Sequence, residues 1–248
     1  MDHLECCDAL AIEIGRFANV MSTMARDEEI PSCPGWSVVD LAEHLGLIHR
    51  WAEELVRKRA PERIPRVASL ENRDVVRPEW IEDGGRQLVT TLLGADPQDE
   101  MWAWGGDQHV RFWSRRQLHE TLVHRMDLEL AAQRSPRAET PVVIDAIDEF
   151  LCNFENDAKK SPGLSSLRGN GEQLAFRPSD SPMMWSITFD EDGFQVSDDA
   201  ADFDAELTGT SIDLLLAILG RRGVDEGPVE VNGDRRIVDL WLAHSDFD

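Results

Sequence analysis

Two stretches of this sequence carry the residue types from which metal sites are built. LAEHLGLIHRW, residues 41–51, places His44 and His49 close together. QLHETLVHRMD, residues 117–127, sets Glu120 four residues before His124, with Asp127 three further on and His119 alongside. A carboxylate and an imidazole at i and i+4 stand on one helical face and can grip one ion. A third ligand from a facing helix would complete a two-histidine, one-carboxylate set with coordination positions left open, as a reactive metal needs. The Glu-x-x-x-His pair is weak as a motif alone, and Asp40 with His44 has the same spacing, which also suits a local pair on a solvated helix. At about 100° per residue, His44 falls about 60° to one side of the Leu41/Ile48/Ala52 stripe and His49 about 80° to the other. Periodicity leaves open which of the two points inward.

The elements that must position these groups read as helices. Leu10, Ile14, Phe17, Met21 and Met24 recur at steps of four and three, predicting a helix over 4–24. EEIPSCPGWS follows as a turn-rich connector. Ser37 is the expected N-cap of a second helix, with Asp40 as its capping-box partner and Arg57-Lys58-Arg59 at its basic end. Residues 60–78, rich in proline, read as a loop. Further helices are expected from Glu79 to Leu93, weakened by Gly84-Gly85, from Ser114 to Ala132, and from Val142 to Asn156.

The pattern changes near residue 160, where KKSPGLSSLRGNGE reads as a linker or loop. Trp185, Ile187 and Phe189 alternate with polar neighbours and turn through Glu191-Asp192-Gly193 into Phe194 and Val196, a hairpin signal. A strand at Ala205–Leu207, a helix at Ile212–Leu219, a strand at Val229–Val231 and a short final helix with Ile237, Leu240 and Trp241 complete the reading. The expected division is a mostly α domain at 1–158 and a small α+β domain at 159–248.

Composition narrows the function. Apolar residues make up 42% of 248, enough for a real core. With 48 acids against 25 bases and a formal charge of −23, the chain lacks the clustered cations that bind phosphate backbones or anionic membranes, so neither nucleic acid nor membrane is an expected partner. No apolar run approaches the roughly 20 residues of a membrane span. The acid-containing start MDHLECCDALAIEIG does not read as a signal peptide, which predicts a cytoplasmic protein. Cys6, Cys7, Cys33 and Cys152 are scattered without CxxC spacing and read as reduced thiols. Cys33 precedes a helix start, where a thiol pKa can be lowered, although an inert residue is the simpler reading. The eight tryptophans read as core or rim, with Trp51 alone a candidate pocket wall. The acidic stretch 190–204 reads as a solvated hairpin and loop.

CPGWSVVDLAEHLGLIHRW at 33–51 and FWSRRQLHETLVHRMDLELAA at 112–132 resemble the two signatures of the mycothiol-dependent maleylpyruvate isomerase family, within the DinB-like four-helix metalloproteins. LLLAILGRR at 214–222 and VEVNGD at 229–234 resemble the family's small domain, of sterol-carrier-protein-like type. The resemblance implies a DinB-like four-helix bundle followed by that small α+β domain. It implies metal ligands at His44, Glu120 and His124, with His49 and His119 outside the set and Asp127 orienting an imidazole. It places Arg221 facing a cleft between the domains, with adjacent Arg222 the competing assignment. It further implies zinc or another divalent metal, and the thiol mycothiol as cosubstrate, for isomerisation or S-transfer on a small electrophilic substrate. The alternatives are a metal- or small-molecule-binding protein of the same fold without catalysis, and a regulatory interaction protein.

Overall fold

The computed structural model describes residues 1–158, 167–199 and 203–244, with the side chains of 157 and 158 left aside. Contacts divide the chain into two compact units, Met1–Pro136 and Arg137–Asp248.

The first unit is a bundle of α1 (His3–Met21), α2 (Val38–Lys58), α3 (Pro78–Leu93) and α4 (Val110–Ala131). Its principal neighbours run in the cyclic order α1, α4, α2, α3. Asp2 caps α1 in a full capping box with Glu5. The Ser37 backbone N–H donates to Asp40 Oδ2 at 2.8 Å, starting α2 where the sequence predicts it. Arg59, in the left-handed region, ends α2. Pro78 occupies the first turn of α3, where its missing N–H costs nothing. α4 begins a turn earlier than expected, because Val110, Phe112 and Trp113 are buried and continue its packed surface.

Helix α4 is enclosed on several sides, and this explains its weak amphipathic signal. Ser114, Gln117, His119, Thr121, His124, Arg125 and Asp127 are buried beside its leucines. Buried charges need partners, and the Arg125 Nε finds one: it donates to Glu13 Oε2 of α1 at 2.6 Å, an ion pair sealed from solvent. The glycine pair that weakens α3 has a packing purpose, since a Cβ on Gly85 would lie 2.6 Å from Ile14 Cδ1 of α1. On α2, Gly46 lets Trp80 of α3 lie against the helix backbone, with the Arg50 guanidinium 3.8 Å from the Trp80 ring centroid.

The expected loop at 60–78 is a loop with one 3-10 turn at Arg73–Val75. It is latched to α2: Arg73 pairs with Asp40 at 2.6 Å and Glu43 at 2.7 Å, and the Leu70 backbone N–H donates to Glu43 Oε1 at 2.6 Å.

The second unit contains α5 (Thr140–Ala158), a five-stranded sheet, α6 (Ser211–Ile218) and α7 (Arg235–Leu242). The strands β1 (Gln173–Pro178), β2 (Trp185–Asp190), β3 (Gly193–Ser197), β4 (Ala205–Gly209) and β5 (Glu230–Gly233) lie in the order β3-β2-β1-β4-β5. β1 runs antiparallel to β2 and parallel to β4. The second unit begins at Arg137, and within it Phe154 of α5 packs at 5.3 Å on both Phe194 and Trp241. The central strand β1 is the element missed from the sequence. Leu174, Ala175 and Phe176 are buried in succession, so the strand shows no alternation. The final strand begins one residue later than expected and runs on through Asn232-Gly233. The start of the expected linker, 159–166, and residues 200–202 of the acidic stretch lie outside the described residues. No helix among the described residues is long and apolar enough to cross a membrane.

Gly46 gives a test of the bundle. A Cβ there would sit 2.0 Å from Trp80 Cζ3. Alanine improves helix propensity by about 1 kcal/mol, yet the clash with a wedged indole is expected to win. Gly46→Ala should show a net loss of about 1–3 kcal/mol in urea denaturation; unchanged or increased stability would mean that Trp80 is not held against α2.

Candidate metal centre

Three nitrogen and oxygen atoms from two helices converge in the first unit. His44 on α2 brings its Nε2 to 3.2 Å from Glu120 Oε1, and His124, one turn along α4, brings its Nε2 to 3.3 Å from the same oxygen. The three donor atoms all lie within 4.8 Å of one another. Metal–nitrogen and metal–oxygen bonds of roughly 2.0–2.1 Å at tetrahedral angles separate adjacent donors by roughly 3.3–3.4 Å. The observed spacings match those edges, so the donor set fits zinc or a similar divalent cation.

Glu120 uses its two oxygens differently. Oε1 faces both imidazoles, while Oε2 accepts from Arg116 Nη2 at 2.6 Å. Arg116 lies one turn before Glu120, so an i,i+4 pair on α4 fixes the plane of the carboxylate. Burial works to raise the Glu120 pKa, but the Arg116 charge and the hydrogen bonds from His124 and His44 hold it well below the usual carboxylate range.

His124 is held from its other side. Its Nδ1 lies 3.0 Å from Asp127 Oδ2, three residues on, and the Asp127 side chain is wholly buried. Burial alone would lower the His124 pKa; hydrogen bonds with Asp127, Cys33 and Glu120, and the Glu120 charge, carry it well above the ordinary histidine value. Protonated, the ring donates to a carboxylate from each nitrogen. When the Nε2 proton leaves, Asp127 keeps Nδ1–H and aims the Nε2 lone pair at the site.

The connector between α1 and α2 completes the surroundings. Hydrogen bonds from Ile30 N to Trp36 O (2.8 Å) and from Trp36 N to Cys33 O (3.0 Å) fold it back on itself. Cys33 Sγ thereby lies 3.6 Å from Asp127 Oδ2, and the Trp36 ring lies 4.9 Å from the His44 ring, centre to centre.

The residues singled out in the sequence separate as follows. His44, Glu120 and His124 come together, and Asp127 supports His124. His49 is fully buried, its Nε2 2.9 Å from Thr121 Oγ1, and burial pushes its pKa down to about 3, so it is a neutral core histidine. His119 is buried outside the converging set. Trp36 rather than Trp51 lies against His44; Trp51 packs on Trp102 and Trp113 and donates to the Ile64 carbonyl. None of the four cysteines is in a disulfide. In the second unit, Arg221 follows α6 and the left-handed Gly220, donating from Nη1 to the Leu219 carbonyl at 2.8 Å, while Arg222 pairs with Asp213 at 3.0 Å. Sequence reasoning missed Arg116 and Trp36. The i,i+4 Arg116–Glu120 spacing was a readable signal for the first; the second depends on how the connector folds back.

Two solved structures share the fold. The crystal structure of the mycothiol-dependent maleylpyruvate isomerase is 14% identical, with a TM-score of 0.59 and coverage of 94% of this chain and 93% of that one. A histidine-to-alanine mutant of the mycothiol-dependent maleylpyruvate isomerase is 13% identical, with the same TM-score and coverage. No curated protein matches the chain. The family model that matches, over residues 7–129, is the mycothiol maleylpyruvate isomerase N-terminal domain. Residues 7–129 are thus similar to that family's N-terminal domain.

Proposed function

We propose that this protein is a divalent-metal enzyme, using zinc, that works with a low-molecular-weight thiol such as mycothiol on a small electrophilic substrate. The observation that carries the reading is the convergence of two imidazole Nε2 atoms on one oxygen of a carboxylate whose other oxygen is held by Arg116. Similarity to that family over residues 7–129 supports the thiol and the isomerase class.

His44, Glu120 and His124 would hold the cation. Three protein ligands leave a coordination position for an outside sulfur. Zinc there would supply the Lewis acidity that keeps a coordinated thiol deprotonated at neutral pH. The chain's own residues do the rest. Asp127 keeps His124 in the tautomer that presents Nε2. Arg116 holds Glu120 to one-oxygen ligation and, as a nearby cation, offsets the carboxylate's charge. The half-buried Trp36 shields the His44 side from solvent.

The reaction class is addition and elimination. A thiolate adds to the double bond of an unsaturated acid, the former double bond rotates, and expulsion of the thiolate restores the bond with changed geometry. Retention of the sulfur, with a proton taken up at the neighbouring carbon, gives S-transfer. Arg221 is assigned the substrate's carboxylate, which it would clamp by paired hydrogen bonds.

Metal analysis after zinc reconstitution tests the ligand set. Wild type should hold about one zinc per chain, His44→Ala and Glu120→Ala should lose most of it, and a thiol titration should show binding only to the loaded wild type. Equal zinc in all three proteins would sink the ligand assignment, and a loaded protein indifferent to thiol would favour a binding protein without catalysis. The raised His124 pKa sets a second expectation. Zinc must displace a proton from the ring, so its apparent affinity should rise about tenfold per pH unit until His124 is neutral in the metal-free protein, then level off. Asp127→Asn should level off at lower pH, to a plateau about 10–100-fold weaker. Calorimetry across pH checks both, and a flat profile for wild type would contradict the assignment of His124.

A further inference from the structure

His124 has a second nitrogen, and the groups around it make a second set of metal donors. His124 Nδ1, Cys33 Sγ and an oxygen of Asp127 lie within 4.8 Å of one another. Asp127 Oδ2 is 3.0 Å from the nitrogen and 3.6 Å from the sulfur. A tetrahedral cation with a sulfur bond of about 2.3 Å and an oxygen bond of about 2.0 Å would separate those two donors by about 3.5 Å. The observed sulfur–oxygen spacing therefore already matches, and the nitrogen–oxygen spacing needs to open by only a few tenths of an ångström.

We propose that Cys33, Asp127 and His124 Nδ1 form a second cation site, selective for thiophilic metals, that competes with the His44–Glu120–His124 set for one imidazole. The sulfur sets the preference, because soft ligands select soft cations. Charge is favourable in a buried place: a thiolate and a carboxylate neutralise a dication, whereas the first set supplies one carboxylate. Cys33 is half-buried, so a cation can reach its sulfur, while Asp127 is sealed behind it.

Binding at this site is an exchange of protons for metal, with no change of oxidation state. The Cys33 thiol proton and the Nδ1 proton of the charged ring pass to solvent. The ring, now neutral, keeps its proton on Nε2, where it donates to Glu120 Oε1. A neutral imidazole has one lone pair, so a cation on Nδ1 removes His124 from the first set. The two sites are alternatives, and a thiophilic ion at Cys33 would block zinc at His44 and Glu120. The existence of this site does not depend on whether the first one is catalytic.

Cadmium titration of the metal-free protein tests this, with Cys152→Ser as the background because Cys152 is exposed. Cys6 and Cys7 are buried, and burial, together with the Asp8 charge, pushes the Cys7 pKa up to about 12. Cadmium should raise an ultraviolet thiolate-to-metal charge-transfer band that saturates near about one equivalent. Glu120→Gln should keep the band, Cys33→Ser should lose it while still binding zinc, and excess cadmium should expel zinc from the loaded background protein. Absence of the band in the background protein, or its survival in Cys33→Ser, overturns the proposal. Cadmium NMR of the background protein gives the same answer should Cys33→Ser fail to fold: a sulfur-shifted resonance supports the site, and one typical of nitrogen and oxygen ligands alone rejects it.

Discussion

The carboxylate of Glu120 is the group on which the candidate site depends. One of its oxygens meets two imidazoles and the other meets a guanidinium. A carboxylate in such a protected position is costly unless each oxygen finds a charged or hydrogen-bonding partner. Here the partners divide the work. Arg116 supplies the charge that keeps Glu120 ionised and fixes its plane, so Oε1 stays pointed at the meeting place of α2 and α4. Asp127 does for His124 what Arg116 does for Glu120. Two candidate ligands are thus each locked by one neighbour on the same helix, which makes α4 the rigid half of the candidate site.

That arrangement requires a helix that can carry many polar groups in its core. α4 can, because α1 answers its charge through the Glu13–Arg125 pair and α2 answers His124 and Glu120 through His44. The packing of α2 is in turn controlled away from the site, where Gly46 admits Trp80 and Arg73 straps the following loop to Asp40 and Glu43. His44 lies between these anchor points on the helix, so close packing and ion pairs on either side set the position of its half-buried side chain.

Much of this was legible in the sequence, and the limits have physical causes. The helix stripes and the capping box at Ser37 were readable because each is local. The carboxylate–imidazole pair at 120 and 124 was readable as a spacing. The choice between His44 and His49 was not, since both lie to the side of the apolar stripe; the structure separates them by environment, one beside Glu120 and one sealed against Thr121. β1 escaped because a strand buried on both faces has no alternation, and the sequence does not say which surface the apolar stripe of α5 will meet. Trp36 and Cys33 reach the site only through the fold of the connector, where proline and glycine break all periodicity.

The central claim is that His44, Glu120 and His124 ligate one cation with room for an outside sulfur. X-ray absorption at the zinc edge of the reconstituted protein tests it most directly. The account predicts two imidazole ligands and light-atom oxygen ligands with no sulfur, and the appearance of one sulfur at about 2.3 Å when a low-molecular-weight thiol is added. A shell without imidazole scattering, or one that takes up no sulfur at saturating thiol, would contradict it.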